Sequence, residues 1–432
     1  MCMTLIEPLF QNSISELLDF ENPFKEYQKM AFEKLLKVGF PTSKNEAYKY
    51  MRISSLLSAS YRKASLEKVD ESLIEKAITP FKDLPYLLIY NGHFLPRYSN
   101  VDKCDPRIII KPLYDAFYSY SVFFKNILSK WIEKETDPFA LLNLSVGNEG
   151  VFIYAPSNVV QKDPIVIVEV NQGEGSAFAA PLVMTSIGKN SEVDFMTHFE
   201  KNTSPTFLNS SLYFYNLEEN SKVKKIHHPA QKEGISFEAF RVYQKDHSYF
   251  KMVCANINSK KTRLDCNIQL LGKEANAEII SLSALKKNEE MHTHILVEHH
   301  QESGYSRQLV KNLYNDASVG SFDGKIYIHQ EAQKTNAYQL NQNCLLSDQA
   351  TSYSKPGLEI FADDVKASHG STTGQIDKEH LFYLQSRGLS KEESVKLLLE
   401  AFCFEVLDEI KFKNLKDIVS KNLLNYFVSN DI

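Results

Sequence analysis

The residues best suited to chemistry lie near the C-terminal end of the chain, where a histidine follows two adjacent carboxylates. Asp363 and Asp364 come at the end of a predicted strand, and Lys366, Ser368 and His369 follow at once. We predict a tight turn around Ser368 and His369, and polar loops beside rigid elements commonly carry ligands. A neutral imidazole in such a turn is a typical metal ligand. His369 is therefore the first candidate for a functional group.

Cysteine offers a second type of ligand, but the pattern of cysteines is unhelpful. The six cysteines include no C-x-x-C pair, so no self-contained motif for a four-cysteine cluster is present. Most of them are expected to be buried as small hydrophobic residues. Cys344 is the one that we consider as an additional ligand beside His369, with simple burial in a strand as the alternative.

Two further histidines suggest a different kind of metal site. His292 and His294 are separated by one residue in a predicted strand, and strand alternation places both on the same face. They would then be close enough to share a metal ion. An autonomous metal-binding module centred on this pair remains open beside the ordinary alternative of two histidines on a strand face.

Several enzyme classes are excluded by the motifs that the sequence lacks. There is no P-loop, no G-x-S-x-G elbow, no H-E-x-x-H pair and no G-x-G-x-x-G after an early strand. We therefore predict that the chain is not an enzyme. A carbohydrate-active enzyme built on stacked strands remains an alternative, although we find no acidic or basic groups repeated in the way that such enzymes require.

Length and charge narrow the class of protein further. A chain of 432 residues exceeds what one compact core usually supports. Its 49 basic and 54 acidic residues give a net charge of -5, and no basic block is long enough to follow a nucleic-acid backbone. No basic leader and no long apolar run is present. We expect a soluble, cytoplasmic protein that binds neither nucleic acid nor membrane.

The pattern of elements predicts three regions. Residues 1–150 read as helical with a small hairpin at Asn91-Gly92, a dipeptide that favours tight hairpin turns. A helix is predicted at residues 113–133, and Asp137 is placed to cap another. Residues 151–375 consist of short strands rich in Val, Ile, Tyr and Phe, with no predicted helix.

The third region, residues 376–432, returns to helix. Asp377 is placed to cap a first helix, and Ser390 with Glu393 forms a capping box ahead of a second. A further amphipathic stretch covers residues 415–428. The strand region between these helical ends is too long for one sandwich and shows no blade-length repeat, which favours a parallel β-helix of stacked rungs.

Three sequence segments resemble the SufB/SufD scaffold family of iron-sulfur cluster assembly. Residues 358–388 contain L-E-I-x-x-D-D-V-K-x-S-H-G followed by L-F-Y-L-x-S-R-G, which is a long and gapless match. Residues 39–51 resemble an element near the start of these proteins, with Ser43 and Tyr48 where arginine and tryptophan are usual. The motifs S-R-Q, F-x-G-K and A-Q-K-T-x-A between residues 306 and 337 complete the resemblance.

The resemblance implies a mainly β fold, a right-handed parallel β-helix flanked by N-terminal and C-terminal α-helical regions. It also implies a SufD-type scaffold subunit that pairs with a SufB-like sister through β-helix edges and works with a SufC-like ABC ATPase. In isolation, the same edge would permit a homodimer. No cofactor is expected to be tightly bound to the isolated chain, and a transient iron-sulfur cluster is expected at a subunit interface.

The resemblance also implies roles for particular residues. The histidine of the S-H-G segment, here His369, would take part in cluster assembly at the interface with the sister. Ala367 stands where many relatives have cysteine, so this segment supplies no thiolate. The C-terminal helices would dock the ATPase, and four residues are predicted to contact it: Phe382, Tyr383, Arg387 and Leu398.

Overall fold

The body of the protein is a solenoid of parallel strands. The computed structural model describes residues 22–42, 45–57, 59–147, 149–229, 233–257 and 259–428. The solenoid has about eight turns and lies between N-terminal and C-terminal helices. Its described residues form strands without an intervening helix from β5 to β21. The mainly β class and the parallel β-helix predicted from the sequence are confirmed.

The N-terminal region combines short helices with short strands. Asp70 and Asp137 act as N-caps, because the Asp70 carboxylate accepts from Leu73 N at 3.0 Å and that of Asp137 accepts from Phe139 N at 3.0 Å. The second cap was predicted. The helices are α1 (Lys25–Val38), α2 (Ser54–Leu57), α3 (Glu71–Ile78), α4 (Leu113–Ser119), α5 (Ser121–Lys134) and α6 (Pro138–Val146). The strands are β1 (Arg62–Lys63), β2 (Tyr86–Tyr90), β3 (His93–Phe94) and β4 (Ile109–Pro112).

Two predictions about this region have different outcomes. The hairpin is confirmed, since Asn91 and Gly92 join β2 to β3 with φ values of 50° and 89°. The helix predicted at residues 113–133 is present, but Tyr120 (φ -125°, ψ 33°) divides it into α4 and α5. In this non-helical conformation, the centre of the Tyr120 ring lies 5.2 Å from the centre of the Phe152 ring in β5. Ser43 lies outside the described residues.

The solenoid strands alternate between two sheets. The first sheet runs in the order β20-β18-β16-β14-β12-β10-β8-β5-β4, and the second in the order β21-β19-β17-β15-β13-β11-β9-β6-β2-β3. β7 also pairs with β10 in the first sheet, and β1 pairs with β7. The strands are β5 (Gly150–Ala155), β6 (Ile165–Gly173), β7 (Ala177–Ala179), β8 (Leu182–Ile187), β9 (Phe195–Thr203), β10 (Leu208–Leu217), β11 (Lys222–His228), β12 (Ile235–Gln244), β13 (Tyr249–Ile257), β14 (Lys261–Leu270), β15 (Asn276–Leu285), β16 (Glu290–His299), β17 (Tyr305–Tyr314), β18 (Val319–Ile328), β19 (Asn336–Leu345), β20 (Thr351–Ile360) and β21 (Lys366–Gly374).

Each turn of the solenoid repeats the previous one in strict register. Gln308 and Gln339, which are 31 residues apart, occupy matching positions, and Gln339 Nε2 donates to Gln308 Oε1 at 2.7 Å. Asn312 Nδ2 likewise donates to Asn343 Oδ1 at 2.8 Å. These ladders satisfy polar groups that would otherwise be buried without partners. The ladder role predicted for Gln339 is confirmed.

One corner of the solenoid uses a left-handed residue on seven of its turns. Asn158, Asn190 and Asn220 have φ values of 62°, 56° and 57° where the chain passes from the first sheet to the second. Asparagine tolerates this conformation better than most residues. Asn190 Nδ2 donates to Asn158 Oδ1 at 3.2 Å, and Asn220 Nδ2 to Asn190 Oδ1 at 3.1 Å. Later turns place other residues with positive φ at the same corner: His247, Glu274, Ser303 and Lys334.

Helices cover the outer faces of the solenoid. The C-terminal helices are α7 (Lys378–Ser386), α8 (Lys391–Leu407) and α9 (Lys413–Val428). Asp377 caps α7, and Ser390 with Glu393 forms the predicted capping box of α8. α8 packs Leu399 and Cys403 into a core that includes residues of β15 and β17. Among the described residues, none of the helices combines the length and apolar character needed to cross a bilayer.

Candidate functional site

His369 lies in the middle of β21, the last strand of the second sheet, and not in a turn. The prediction of a turn at Ser368 and His369 is wrong because β19 supplies a template: Ser368 pairs with Tyr338 and His369 with Gln339. Ladder hydrogen bonds outweigh the weak strand propensity of short polar residues. Within the described chain β21 pairs with β19 alone, so its other edge is free.

The backbone at His369 borders an open groove. His369 is exposed, and a groove of about 370 Å³ lies beside it. The residues that line the groove come from three successive strands of the second sheet: Arg307, Gln308, Leu309, Tyr338, Gln339, Leu340, Ser368, His369 and Gly370. Arg307, Tyr338 and Ser368 have the opposite strand parity to His369, so the groove lies on the outer face of the sheet and the imidazole on the inner face.

The face of β21 that carries His369 continues the inward face of the solenoid. Ser371, two residues further along, lies with its Oγ 2.7 Å from Ser354 Oγ of the opposite sheet. Ser354 Oγ also donates to Asn341 Oδ1 at 2.7 Å. Residues two apart in a strand point to the same side. His369 thus lies at the open end of the solenoid, where the next rung of a continuing β-helix would be.

Cys344 is placed away from His369. It lies in β19 opposite Gly374, whereas His369 lies opposite Gln339. The five-residue offset from Gln339 to Cys344 corresponds to roughly 16 Å along a strand and to the opposite face. The Cys344 thiol is half-buried against the core below α8, and burial raises its pKa to about 11. The structure does not bring the two predicted ligands together.

The other residues of the predicted site occupy the corner and the start of β21. Asp363 and Asp364 are exposed in the corner between β20 and β21, where Lys334 N donates to Asp364 O at 2.6 Å. Lys366 begins β21 and is exposed, and Ser368 borders the groove beside His369. The two carboxylates therefore flank the strand and are not arranged around the imidazole.

Ala367 fills a small apolar space. It lies opposite Ala337 and packs with Ile326, Ile328 and Ala362. It has the same strand parity as His369, so a cysteine at this position would also point towards the solenoid interior. Compared with relatives that have cysteine here, this chain therefore lacks a thiol on the strand face that carries His369.

The predicted partner-binding residues lie on an exposed C-terminal surface. Phe382 and Tyr383 in α7 are 73% and 55% exposed, and the Arg387 guanidinium lies 5.2 Å from the Tyr383 ring centre. Leu398 in α8 is half-buried. Glu405 fixes α8 to the second sheet through ion pairs at 2.9 Å with Arg307 and with Lys311. α8 is thus connected to β17, one of the strands that line the groove.

The histidine pair proposed as a metal-binding module does not form one site. His292 is buried, and its Nδ1 lies 2.8 Å from Ser321 Oγ. His294 instead pairs with Asp265, with Nδ1 2.9 Å from the carboxylate. A different group, which the sequence patterns did not indicate, brings Glu298, His300 and His329 together. The signal that would have identified it is the solenoid repeat, because His329 follows His300 by one turn.

Two family comparisons agree with this architecture. The fold and the exposed edge define a β-solenoid protein with helical ends. Residues 169–402 match the family model described as "SUF system FeS cluster assembly, SufBD core domain", and residues 8–167 match the "SufBD protein N-terminal region". The chain belongs to the SufBD family. This membership supports a role in iron-sulfur cluster assembly.

Individual relatives show similarity over most of the chain. A SufBD family protein of Synechocystis is 25% identical over 390 residues, which is 87% of this chain and 85% of the relative. The iron-sulfur cluster assembly protein SufD of Escherichia coli is 26% identical over 404 residues, covering 90% and 89%. A chloroplastic protein of Arabidopsis thaliana, ABCI7, is 24% identical over 423 residues, covering 94% and 87%.

Proposed function

We propose that this chain is a scaffold subunit that builds or holds a nascent iron-sulfur cluster together with a SufB-like sister. The observation that carries the proposal is the position of His369, which is exposed on the free edge strand of a rigid solenoid. The work of such a subunit is to position groups and not to catalyse a reaction of its own. The similarity to SufD of Escherichia coli over most of both chains supports the assignment.

The edge formed by β20 and β21 suits side-by-side pairing with another solenoid. An exposed edge strand presents unpaired backbone donors and acceptors, and a partner strand can continue the ladder. Apolar side chains also lie exposed on β20 and the corner after it: Tyr353, Ile360 and Phe361 are 38%, 39% and 56% exposed. Pairing would bury this apolar area and satisfy the backbone groups in one interface.

His369 would then face the sister across the shared interface. A neutral imidazole replaces a thiolate as an iron ligand in Rieske centres. Because Cys344 lies on the opposite face and Ala367 replaces a thiol, the described part of the chain offers no cysteine next to His369. The sister would have to supply thiolate ligands. The cluster is the cargo of this interface, and mixed ligation from two chains would leave it labile enough to pass onward.

The C-terminal helices would receive the ABC ATPase. Phe382 and Tyr383 in α7 and Phe404 in α8 are large aromatic residues that are 73%, 55% and 62% exposed. Aromatic anchors of this kind carry much of the binding energy at protein interfaces. Since Glu405 connects α8 to Arg307 at the groove, motion imposed on these helices would be transmitted to the strands beside His369.

The experiment that tests the proposal is cluster assembly on the complex after substitution of His369. The chain is co-expressed with the host's SufB-like and SufC-like proteins, purified without oxygen, and iron and sulfide are measured per complex. The proposal predicts that His369→Ala leaves the complex intact and lowers cluster yield. Thr372→Ala, at an exposed position on the other face of β21, is the matched control and retains the yield. An unchanged cluster yield in His369→Ala would rule out the ligand role.

A further inference from the structure

Two histidines occupy equivalent positions on consecutive turns at the corner that follows the first sheet. His299 at the end of β16 pairs with Ile328 at the end of β18, so His300 and His329 are the next residues on each turn. His329 N donates to His299 O at 3.0 Å, which extends the ladder to this point. The imidazole rings stack with their centres 4.2 Å apart and their planes at 22°. The solenoid therefore places the two side chains side by side.

A carboxylate completes the group. Glu298 Oε2 lies 3.4 Å from His329 Nε2 and 3.8 Å from His300 Nε2. One ligand atom from each of the three residues lies within 4.8 Å of the others. Three ligands at about 2.1 Å from one ion in tetrahedral geometry are about 3.4 Å apart. The two separations from Glu298 are close to this value and the nitrogens lie within 4.8 Å of each other, so side-chain movements would bring all three onto a common ion.

A glutamine on the preceding turn orients the carboxylate. Gln269 pairs with Glu298 in the sheet, and its Nε2 donates to Glu298 Oε1 at 2.7 Å. This bond leaves Oε2 to face the two imidazoles. The Gln269 Oε1 also accepts a hydrogen bond from His300 Nε2 at 2.7 Å. When Nε2 binds an ion, this bond is lost and the His300 proton resides on Nδ1. The bond from Gln269 to Glu298 remains, and outer partners of this kind commonly fix the orientation of metal-binding side chains.

The three side chains offer donor atoms that suit a metal ion. A neutral imidazole is the form that binds a metal ion. Two stacked imidazoles beside one carboxylate thus offer two nitrogen lone pairs and one negative charge.

We propose that Glu298, His300 and His329 form a binding site for a divalent first-row transition-metal ion such as Zn²⁺, Co²⁺ or Fe²⁺. Two nitrogens and one carboxylate oxygen suit these ions, whereas Mg²⁺ and Ca²⁺ prefer ligand sets made of oxygen. The side chains are 23%, 27% and 31% exposed, so solvent has access and water would complete the coordination. The site is separate from His369 and does not depend on the proposed scaffold function.

The test is metal binding by the full chain after removal of metal with a chelator. Co²⁺ is added without oxygen, and its visible absorption and bound stoichiometry are measured, with Zn²⁺ competition as a second readout. We expect one high-affinity Co²⁺ per chain. Both Glu298→Gln and His329→Ala should weaken it by more than about tenfold, the low end of the loss seen even for outer partners of metal sites.

The matched control is the exposed pair of His247 and Glu274, whose Nδ1 and Oε2 lie 3.3 Å apart without a second histidine. His247 has a φ of 56°, so His247→Asn preserves the left-handed conformation. It should leave Co²⁺ binding unchanged. Circular dichroism establishes that each variant is folded. If His329→Ala does not fold, the nearly isosteric Glu298→Gln still tests the proposal. Absence of stoichiometric binding, or equal binding by wild type and Glu298→Gln, would overturn the proposal.

Discussion

His369 lies directly opposite Gln339 in the final strand pair of the solenoid, and no described strand covers its other side. Gln339 in turn donates to Gln308 at 2.7 Å, so the ladder of polar side chains on the inner face ends at the histidine. A neighbouring chain that continued the ladder would place its own residue opposite His369. This relationship is the structural basis for the proposed interface and for the first prediction.

Backbone groups on the free edge of β21 should contribute to pairing with the sister. Lys366 N donates to β19 through Thr335 O at 2.9 Å, and in parallel strands alternate residues bond to opposite sides. The N–H of Ser371 therefore points to the free edge. Ser371→Pro removes this donor and should weaken binding of the sister about fivefold, the equivalent of one hydrogen bond of about 1 kcal/mol.

Ser371→Ala is the control for this substitution, because it removes the hydroxyl that contacts Ser354 but keeps the N–H. Affinity is measured by biolayer interferometry, and thermal unfolding reports on the isolated chain. Equal affinity of the proline and alanine variants would show that β21 does not pair through its backbone.

The exposed aromatic residues of α7 should matter for binding the ATPase. Phe382 is 73% exposed and contributes nothing to the described core, so Phe382→Ala should leave stability nearly unchanged. If it is an interface anchor, its loss costs about 2 kcal/mol or more, which lowers affinity by more than about tenfold. Tyr118→Ala, at a 64% exposed position in α4, is the control. Affinity for the ATPase is measured by titration calorimetry. Equal affinities of the wild type and Phe382→Ala would disprove docking at α7.

A half-buried histidine, His198, should make the stability of the chain sensitive to acid. Burial lowers the pKa of His198 to about 3, and its Nδ1 has no hydrogen-bond partner among the described residues. Below pH 6.5 the His198 side chain binds a proton in the unfolded state but not in the folded state. The folded state is therefore destabilised as the pH falls below 6.5. Between pH 7.5 and 5.5 this costs about 1.4 kcal/mol. Urea titrations at the two pH values should show that His198→Leu removes a pH-dependent loss of this size from the free energy of unfolding. An equal pH dependence in the wild type and in His198→Leu would contradict this prediction.

A buried ion network should anchor the N-terminal helices to the solenoid. The Arg241 guanidinium lies 2.7 Å from Glu135 and 2.7 Å from Asp265, and its side chain is 3% exposed. Burial alone would raise the pKa of Asp265, but Arg241, His294 and Arg263 hold that pKa well below its usual range. Loss of the arginine leaves both carboxylates buried without their main partner.

Arg241→Met should therefore lower the free energy of unfolding by about 3–5 kcal/mol. The comparison is Lys245→Met, which breaks an exposed pair with Glu218 and should cost under about 1 kcal/mol. Chemical denaturation measures both changes. Similar losses in the two variants would show that burial adds nothing to the network.

The fold was largely predictable because its local signals are strong. The Asn91-Gly92 hairpin and the Asp137, Asp377 and Ser390 caps depend on a few neighbouring residues, and all of them are present. The density of short strands indicated a β-helix, while the motif resemblance decided between that fold and other β architectures. Tyr120 was not predictable, because its non-helical conformation accompanies packing against Phe152, a contact between distant parts of the chain.

The site was less predictable than the fold, because it depends on register between turns. The polar residues around His369 predict a turn when considered alone, but in the structure they form a strand because they pair with β19. The separation of His369 from Cys344 and the convergence of His300 with His329 both follow from which residues lie one turn apart. That offset varies between turns, as the 31 residues between Gln308 and Gln339 and the 29 between His292 and Ser321 illustrate, so no fixed period reveals it.

The most direct test of the scaffold assignment is the composition of the complex that forms around this chain. The chain is co-expressed with the SufB-like and SufC-like proteins of its host, purified without oxygen, and its complexes are sized by chromatography and native mass spectrometry. The account predicts a stable assembly of one copy of this chain, one sister and two ATPase subunits. Recovery of this chain alone, or only as a homodimer while the sister and the ATPase assemble without it, would contradict the account.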